Sequence, residues 1–110
     1  MSLHCICINR TAFNNIKSNK KKIEGRLKKG YFINSKIKIN DKILFYNKYD
    51  KYVVSVKDII EYTSLYYCLE NENLKDLLPH INNINDAYEY YKQFYSKENL
   101  KKYNFLAIKF

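Results

Sequence analysis

The sequence predicts a single α+β domain over residues 1–110, with strands near both ends of the chain and helices before the last strand. A chain of 110 residues has the size of one domain with one hydrophobic core. Alternating apolar residues, typical of strands, dominate its first half, whereas apolar residues at helical spacing dominate residues 64–95. The apolar C-terminal segment returns to a strand pattern, so an α+β domain or a small barrel is expected.

The first half of the chain is predicted to contain two strands separated by a short helix. The first strand covers His4–Asn9. Thr11 can cap the helix, in which Phe13 and Ile16 lie three positions apart on one face, and the helix ends near residues 17–18. Lys22–Leu27 then reads as a strand, with Glu24 and Arg26 on one face.

A hairpin is predicted in the middle of the chain. Lys42–Tyr46 and Lys51–Ile60 have strand character and flank a turn at Asn47–Asp50. Within the second strand, apolar residues alternate with more polar ones. We therefore expect the two segments to pair as neighbouring strands.

The pattern becomes helical from Ser64. Two short apolar stripes come first, at Leu65, Cys68 and Leu69 and then at Leu74, Leu77 and Leu78, before Pro79 interrupts the helix. Asn83 with Asp86 marks the next helix start, and the stripe that follows contains Ile84, Ala87, Tyr88, Tyr91 and Tyr95. We interpret this stripe as core rather than as a platform for stacking bases. Tyr103–Phe110 is the predicted last strand.

The charge is strongly segregated along the chain. The net charge is +9, and of 20 basic residues only Arg10 and Arg26 are arginines. Residues 10–30 carry eight basic groups against Glu24 alone, whereas residues 58–90 carry seven acidic groups against Lys75 alone. A concentrated basic segment is typical of proteins that bind a polyanion, most often nucleic acid. The acidic, helical half offers a surface for a basic protein partner.

The cysteines predict reduced thiols rather than a disulfide or a metal site. An odd number, Cys5, Cys7 and Cys68, is typical of a reducing compartment. His4 beside Cys5 and Cys7 would suit zinc, but no second pair of ligands stands at useful spacing, since Cys68 and His80 are isolated. We therefore expect no metal, no other cofactor, and thiols that are buried or half-buried.

Cellular location is predicted from the absence of long apolar runs. None approaches the length of a membrane span or of a secretory signal. We expect an intracellular protein of the cytoplasm or nucleus, not secreted and without a membrane partner. A monomer is the expected state.

A short basic motif resembles the signature of a known family. The segment Asn19-Lys20-Lys21-Lys22-Ile23-Glu24-Gly25-Arg26 is similar to the G-x-K-x-x-E-x-R motif of the ASCH domain family, a branch of the PUA-like β-barrels. The residues 37–45 resemble the family's entry to a later strand, and residues 77–79, 94–98 and 103–108 resemble the C-terminal half of small microbial members. The resemblance therefore covers essentially the whole chain. It implies a PUA-like barrel with a helix before the motif strand and a helical insertion before the last strand.

Asparagine replaces glycine at three positions of this pattern. Asn19, Asn40 and Asn104 stand where the family often has Gly. Asn is the non-glycine residue that best tolerates positive φ. We therefore expect helix caps or tight turns at these positions to survive the change.

The resemblance implies an RNA- or nucleotide-binding module that acts in RNA metabolism or transcription-related regulation. Lys21, Glu24 and Arg26 would share one cleft, in which the two cations bind phosphate and the carboxylate accepts hydrogen bonds from an exocyclic amine. Such a cleft would suit one flipped or unpaired nucleotide. Further contacts with phosphate are predicted for Lys20, Lys22, Lys28 and Lys29, and stacking on a base is predicted for Tyr46 and Tyr62. In the alternative interpretation, Glu24 and Arg26 form an ion pair that only braces the mouth of the barrel, and Lys21 is merely solvated.

An enzymatic function is the second hypothesis. Some small bacterial ASCH proteins hydrolyse the acetyl amide of N4-acetylcytidine, and others are connected with RNA cleavage. On this reading Lys21 and Glu24 would be catalytic, and Glu70 or Glu72 would supply a further carboxylate. Glu24 stands where the amidohydrolases have Thr, which removes a hydroxyl nucleophile and favours the charged form of Lys21. No histidine lies near the motif in the sequence, so the binding module is the preferred hypothesis.

Overall fold

The computed structural model describes residues 1–34 and 36–110, which contain six strands and six helices. In chain order these are β1 (Leu3–Cys7), α1 (Arg10–Lys17), β2 (Ile23–Leu27), α2 (Tyr31–Asn34), β3 (Lys42–Tyr46), β4 (Lys51–Ser55), β5 (Asp58–Tyr62), α3 (Leu65–Asn71), α4 (Leu74–Leu77), α5 (Ile84–Lys92), α6 (Lys97–Lys102) and β6 (Phe105–Lys109). The α+β class, the helix before the motif strand and the helices before the last strand are confirmed. None of the described helices is long and apolar enough to cross a membrane.

The strands form two separate three-stranded sheets. The first has the order β1-β3-β4, with β1 parallel to β3 and β3 antiparallel to β4. The second has the order β2-β6-β5 and is antiparallel throughout. We call them sheet A and sheet B. Sheet B lies between sheet A and the helices α3–α6, because its two faces belong to different hydrophobic clusters.

The last strand shows this layering most directly. Phe105 and Ala107 face the helices, whereas Leu106 and Ile108 pack with sheet A. All four are buried, which explains the unbroken apolar run at the C-terminus. A strand that is covered on both faces needs apolar residues at every position.

The predicted closed barrel is wrong. The chain passes from sheet A to sheet B between β4 and β5, where the Val56 amide bonds to Asp41 and the Lys57 amide bonds to Lys109. The predicted strand Lys51–Ile60 is therefore two strands in different sheets. On the opposite side, β1 and β2 are the edges of the two sheets, and no backbone ladder joins them among the described residues. A barrel requires continuous pairing around its circumference, which this gap interrupts.

Asparagine caps explain several helix boundaries. Asn9, not the predicted Thr11, caps α1, since its side chain accepts a hydrogen bond from the Ala12 amide. Asn83 caps α5 as predicted, with its side chain accepting from the Asp86 amide. The short helices α2 and α6 were not predicted, because four and six residues are too few to show a helical period.

Two of the three expected positive φ angles are present. Asn19 has φ 66° and Asn40 has φ 75°. Asn19 follows α1 in a Schellman arrangement, in which its amide bonds to the Ile16 carbonyl and the Lys20 amide bonds to the Asn15 carbonyl. Asn104 has no positive φ, so that prediction is wrong. Its side chain instead donates a hydrogen bond of 2.6 Å to Glu61.

The cysteines are only partly as expected. Cys68 is buried in the helical cluster, but Cys5 and Cys7 are exposed, which contradicts the prediction of buried or half-buried thiols. Strand alternation explains the difference, since His4 and Ile6 take the inward positions of β1. All three cysteines are free thiols.

Candidate functional site

A cavity of about 420 Å³ lies in the gap between the edges of the two sheets. Its lining includes Cys7 and Ile8 at the end of β1, residues 24–26 of β2, and residues of α1 and of the segments around α4 and α5. The volume falls within the range of small-molecule sites. The gap that prevents the barrel from closing is thus the place where a ligand can enter.

Two of the three motif side chains are almost fully buried in this cavity, and the third is partly buried. Lys21 is 3% exposed and Glu24 is 7% exposed. Glu24 lies between two cations, since its carboxylate is 3.3 Å from Lys21 Nζ and 2.8 Å from Arg26 Nε. Lys21 also donates a hydrogen bond to the Leu77 carbonyl, and Arg26 donates one of 3.2 Å to the Cys7 carbonyl. We call Lys21, Glu24 and Arg26 the buried triad.

The local sequence explains how the triad forms. The Schellman turn after α1 directs the chain so that the Lys21 amide bonds to the Asn15 carbonyl and its side chain turns inward. Glu24 and Arg26 are two residues apart on β2 and therefore point to the same face. Gly25 between them allows close packing, because a Cβ there would lie 2.7 Å from the Tyr91 hydroxyl.

The triad has a net charge of +1 when all three groups are ionised. Burial lowers the pKa of Lys21, and the neighbouring Glu24 carboxylate offsets this only in part. Burial also opposes ionisation of Glu24, but the charges and hydrogen bonds of Lys21 and Arg26 outweigh it and hold the pKa of Glu24 below its ordinary value. The Arg26 pKa is raised, because attraction to Glu24 exceeds the cost of burial. A buried excess of positive charge favours an anionic or electron-rich ligand.

An aromatic wall lines the same cavity. It consists of His80, Tyr90, Tyr91, Phe94 and Tyr95, which come from α5 and the segments on either side of it. Tyr90 makes edge contacts with His80, Tyr91 and Phe94 at centroid distances of 5.1–5.7 Å. The side-chain amide of Asn9, which also lines the cavity, donates a hydrogen bond of 3.3 Å to the Tyr90 hydroxyl. A planar ring with a polar edge would find both an apolar surface and charged partners here.

The tyrosine stripe of α5 serves the core and the cavity together. Ala87 and Tyr91 are buried in the helical cluster, and Tyr88 and Tyr95 pack against it, which confirms the core prediction. Tyr91 and Tyr95 nevertheless also line the cavity. Burial raises the pKa of the Tyr91 hydroxyl well above its ordinary value, so this group stays protonated.

Several predicted site residues lie outside the cavity. Lys20 and Lys22 are exposed on the turn between α1 and β2. Tyr62 is not at the cleft, because its hydroxyl donates a hydrogen bond to Glu72 behind β5. Glu72 in turn binds Lys109 at 2.9 Å, and neither it nor the exposed Glu70 lines the cavity.

The other residues predicted to contact nucleic acid, Lys28, Lys29 and Tyr46, also lie outside the cavity. Lys28 pairs with Glu61 at 2.8 Å, and Lys29 lies over the ring of Tyr103. Tyr46 is exposed on sheet A but does not line the cavity. The described residues contain no cluster of three or more His, Cys, Asp or Glu side chains suited to a metal ion.

Three polar residues of the cavity lining were not predicted from the sequence: His80, Asn9 and Asn15. His80 is remote from the motif in the chain, but the loop after α4 brings it to the cavity wall. Burial, together with the charges of Lys21 and Lys75, lowers the pKa of His80 and so favours the neutral imidazole. Only Pro79, which ends the helical pattern beside it, signalled a special loop here.

Two solved structures share this architecture. The crystal structure of hypothetical protein PH0355 aligns with a TM-score of 0.84 and 36% sequence identity, over 99% of this chain and 96% of that chain. The solution NMR structure of protein PF0455 from Pyrococcus furiosus aligns with a TM-score of 0.74 and 36% identity, over 97% of this chain and 94% of that chain. No protein-family model and no curated protein matches the sequence. The chain belongs to the family of PH0355 and PF0455.

Proposed function

We propose that this chain is an ASCH-like RNA- or nucleotide-binding module that accepts one unpaired nucleotide in the cavity between its sheets. The observation that carries the proposal is the buried triad in a cavity with an aromatic wall. Single-stranded RNA is recognised by stacking of splayed bases on aromatic rings and by hydrogen bonds to their edges. Arg26 and Lys21 supply charge-assisted donors for phosphate or carbonyl oxygens, and Glu24 supplies an acceptor for an exocyclic amine.

The ion pair in the triad does not exclude this role. The ion pair of Glu24 with Arg26 is present, as the alternative interpretation expects, but Lys21 is buried beside Glu24 and is not solvated. A carboxylate shared by two cations nevertheless leaves one positive charge unbalanced, and that charge faces the cavity. Surface ion pairs contribute little to stability, whereas residues with perturbed pKa values in a cleft are candidates for a functional site.

Two adjacent lysines provide a matched test. Lys21 is buried in the cavity, whereas Lys20 is exposed outside it. Labelled single-stranded RNA would be titrated by fluorescence anisotropy against wild type, Lys21→Met and Lys20→Met. Loss of a charge-assisted hydrogen bond costs about 1.5–3 kcal/mol, so Lys21→Met should weaken binding about 10- to 150-fold. Lys20→Met should change it only slightly.

The control for folding is the circular dichroism spectrum and the thermal unfolding midpoint of each variant. A folded Lys21→Met protein that binds RNA as tightly as Lys20→Met would contradict the proposed site. A wild-type protein that binds neither RNA nor nucleotides would contradict the proposed function.

A hydrolase that acts on RNA or on a modified nucleoside is the second candidate. The observation that favours it is the buried amine of Lys21, whose pKa is lowered rather than raised, in the same cavity as His80. A lowered lysine pKa makes the neutral amine more available as a general base, and imidazole is the commonest general acid–base group in enzymes. Two observations argue against hydrolysis of N4-acetylcytidine in particular. The cavity contains neither Glu70 nor Glu72 as the further carboxylate, and Glu24 stands where those amidohydrolases have Thr.

The RNA titration samples, together with parallel incubations of the same proteins with N4-acetylcytidine, separate the two candidates. RNA recovered intact on a denaturing gel, and N4-acetylcytidine recovered unchanged by chromatography, would support the binding module. Cleavage or deacetylation that is lost in Lys21→Met would establish the hydrolase instead.

A further inference from the structure

We propose that the outer face of sheet A is a path for single-stranded RNA that leads to the cavity, an inference that rests on the proposed function. The cavity can take one nucleotide, so the nucleotides on either side of it must lie on the protein surface. The outer face is the side of β1, β3 and β4 that points away from sheet B. No element covers it among the described residues, since Cys5 and Cys7 are exposed and Val53 is 51% exposed.

The strand register places one end of this face beside the lining of the cavity. Cys7 lines the cavity, and Tyr46 lies directly beside it on the neighbouring strand. The Ile8 amide, also at the cavity, donates a hydrogen bond of 3.0 Å to the Tyr46 carbonyl. Neighbouring strands are about 4.8 Å apart, so a chain that leaves the cavity over β1 meets the ring of Tyr46 next.

Aromatic and apolar side chains give the face its stacking surface. Tyr46 is 40% exposed, and Tyr49 in the turn between β3 and β4 is 83% exposed. Cys5, Leu44 and Val53 form an apolar row beside Tyr46, because they occupy matched positions on the three strands. Sheets that present aromatic rings in this way stack two or three bases in other RNA-binding folds.

The positive charge of the outer face favours a polyanion over other partners. Its nine outward positions include Lys42 and Lys51 and contain no acidic residue. Lys51 lies beside Tyr46 in the register, so a cation and a ring are adjacent. The carboxylate of Asp50 in the neighbouring turn is bound by Lys17 at 3.0 Å. A second protein copy would meet this positive charge with its own, whereas a phosphate backbone would be attracted.

The proposal is tested with two probes of different length. One is a labelled single-stranded RNA of about ten nucleotides and mixed sequence, and the other is cytidine monophosphate as a competitor. Tyr46→Ala should weaken binding of the RNA about tenfold and leave binding of the mononucleotide unchanged. Tyr46→Phe keeps the ring and should bind both probes as wild type does.

The charge contribution is read from the salt dependence. Lys51→Ala should reduce the slope of log Kd against log salt by about 0.7, as expected for one phosphate contact on a single strand. Tyr66→Ala is the matched control, because Tyr66 is 51% exposed on α3, away from the outer face. That variant should bind the RNA as wild type does.

Each of the other possible results would contradict either the RNA path or the proposed function as a whole. If Lys21→Met weakens both probes but Tyr46→Ala weakens neither, the cavity stands and the RNA path is wrong. If wild type binds neither probe, both the proposed function and the RNA path are wrong. If Tyr46→Ala dissociates a dimer in sedimentation analysis without affecting RNA binding, the face binds a second copy instead.

Discussion

Gly25→Ala should destabilise the protein by about 2 kcal/mol, because β2 has no room for a side chain at this position. A Cβ would lie 2.7 Å from Phe105 Cε2, 2.9 Å from Phe105 Cζ and 2.7 Å from the Tyr91 hydroxyl. Phe105 is fully buried and is held by edge contacts with Tyr91 and Tyr95 at 5.3 Å and 6.5 Å. Its ring therefore cannot turn away without disturbing the helical cluster.

The magnitude follows from two opposing effects. Overpacking a core costs about 1–3 kcal/mol, and we expect the upper value because the ring is held on several sides. Replacing a glycine within a strand returns about 0.5–1 kcal/mol of conformational entropy. The difference of about 2 kcal/mol should lower the melting temperature by about 8 °C at this chain length.

The only other glycine of the chain is the control. Gly30 has φ 58°, and no described atom would lie within 4 Å of an added Cβ. Gly30→Ala should cost about 1 kcal/mol through backbone strain alone, and Gly30→Asn should cost less, because Asn tolerates positive φ. Urea unfolding of the three variants measures all of these changes. A Gly25→Ala protein as stable as wild type would refute the close packing of β2 against Phe105 and Tyr91.

Two further predictions concern residues outside the cavity. Asn19→Ala should lower the free energy of unfolding by about 1 kcal/mol, because alanine tolerates φ 66° poorly, whereas Asn104→Ala should not show this backbone penalty in the same urea assay. Asp41→Asn should destabilise the protein at pH 7, since the Asp41 carboxylate accepts hydrogen bonds from the Ser2 amide, the His4 ring and the Lys38 amide, which hold its pKa below the ordinary value. A depressed carboxyl pKa stabilises the fold above the unfolded-state pKa, so the difference between wild type and variant should shrink as the pH falls below about 4. An equal difference at pH 7 and at pH 3 would contradict this assignment.

Local sequence signals identified most of the elements of this fold. Asn83 and the stripe ending at Tyr95 predicted α5, because capping and helical spacing are properties of neighbouring residues. The positive φ of Asn19 was also predictable, since it depends on one residue type at a helix end. The shared face of Glu24 and Arg26 was predictable as well, because side chains two positions apart in a strand point to the same side of the sheet.

Other features depend on contacts between distant parts of the chain. No local pattern shows that the strand predicted over Lys51–Ile60 changes sheets at Val56, because the residues on both sides of Val56 have strand character. The exposure of Cys5 and Cys7 depends on which face of β1 meets the core, and either parity is compatible with the sequence. Tyr62 does not reach the cavity, because it lies on β5, at the edge of sheet B opposite β2, and this strand order is not visible in the sequence.

The sequence by itself therefore determined the α+β class, most of the elements and the three residues of the triad. Only the tertiary structure decided that the two sheets stay apart, that the triad is buried in the resulting gap, and that His80 and the rings of α5 complete its walls. The physical reason is the distance along the chain over which each kind of interaction acts. Caps, turns and periodicity act over a few residues, whereas burial, pKa shifts and cavities arise from packing between elements separated by half the chain.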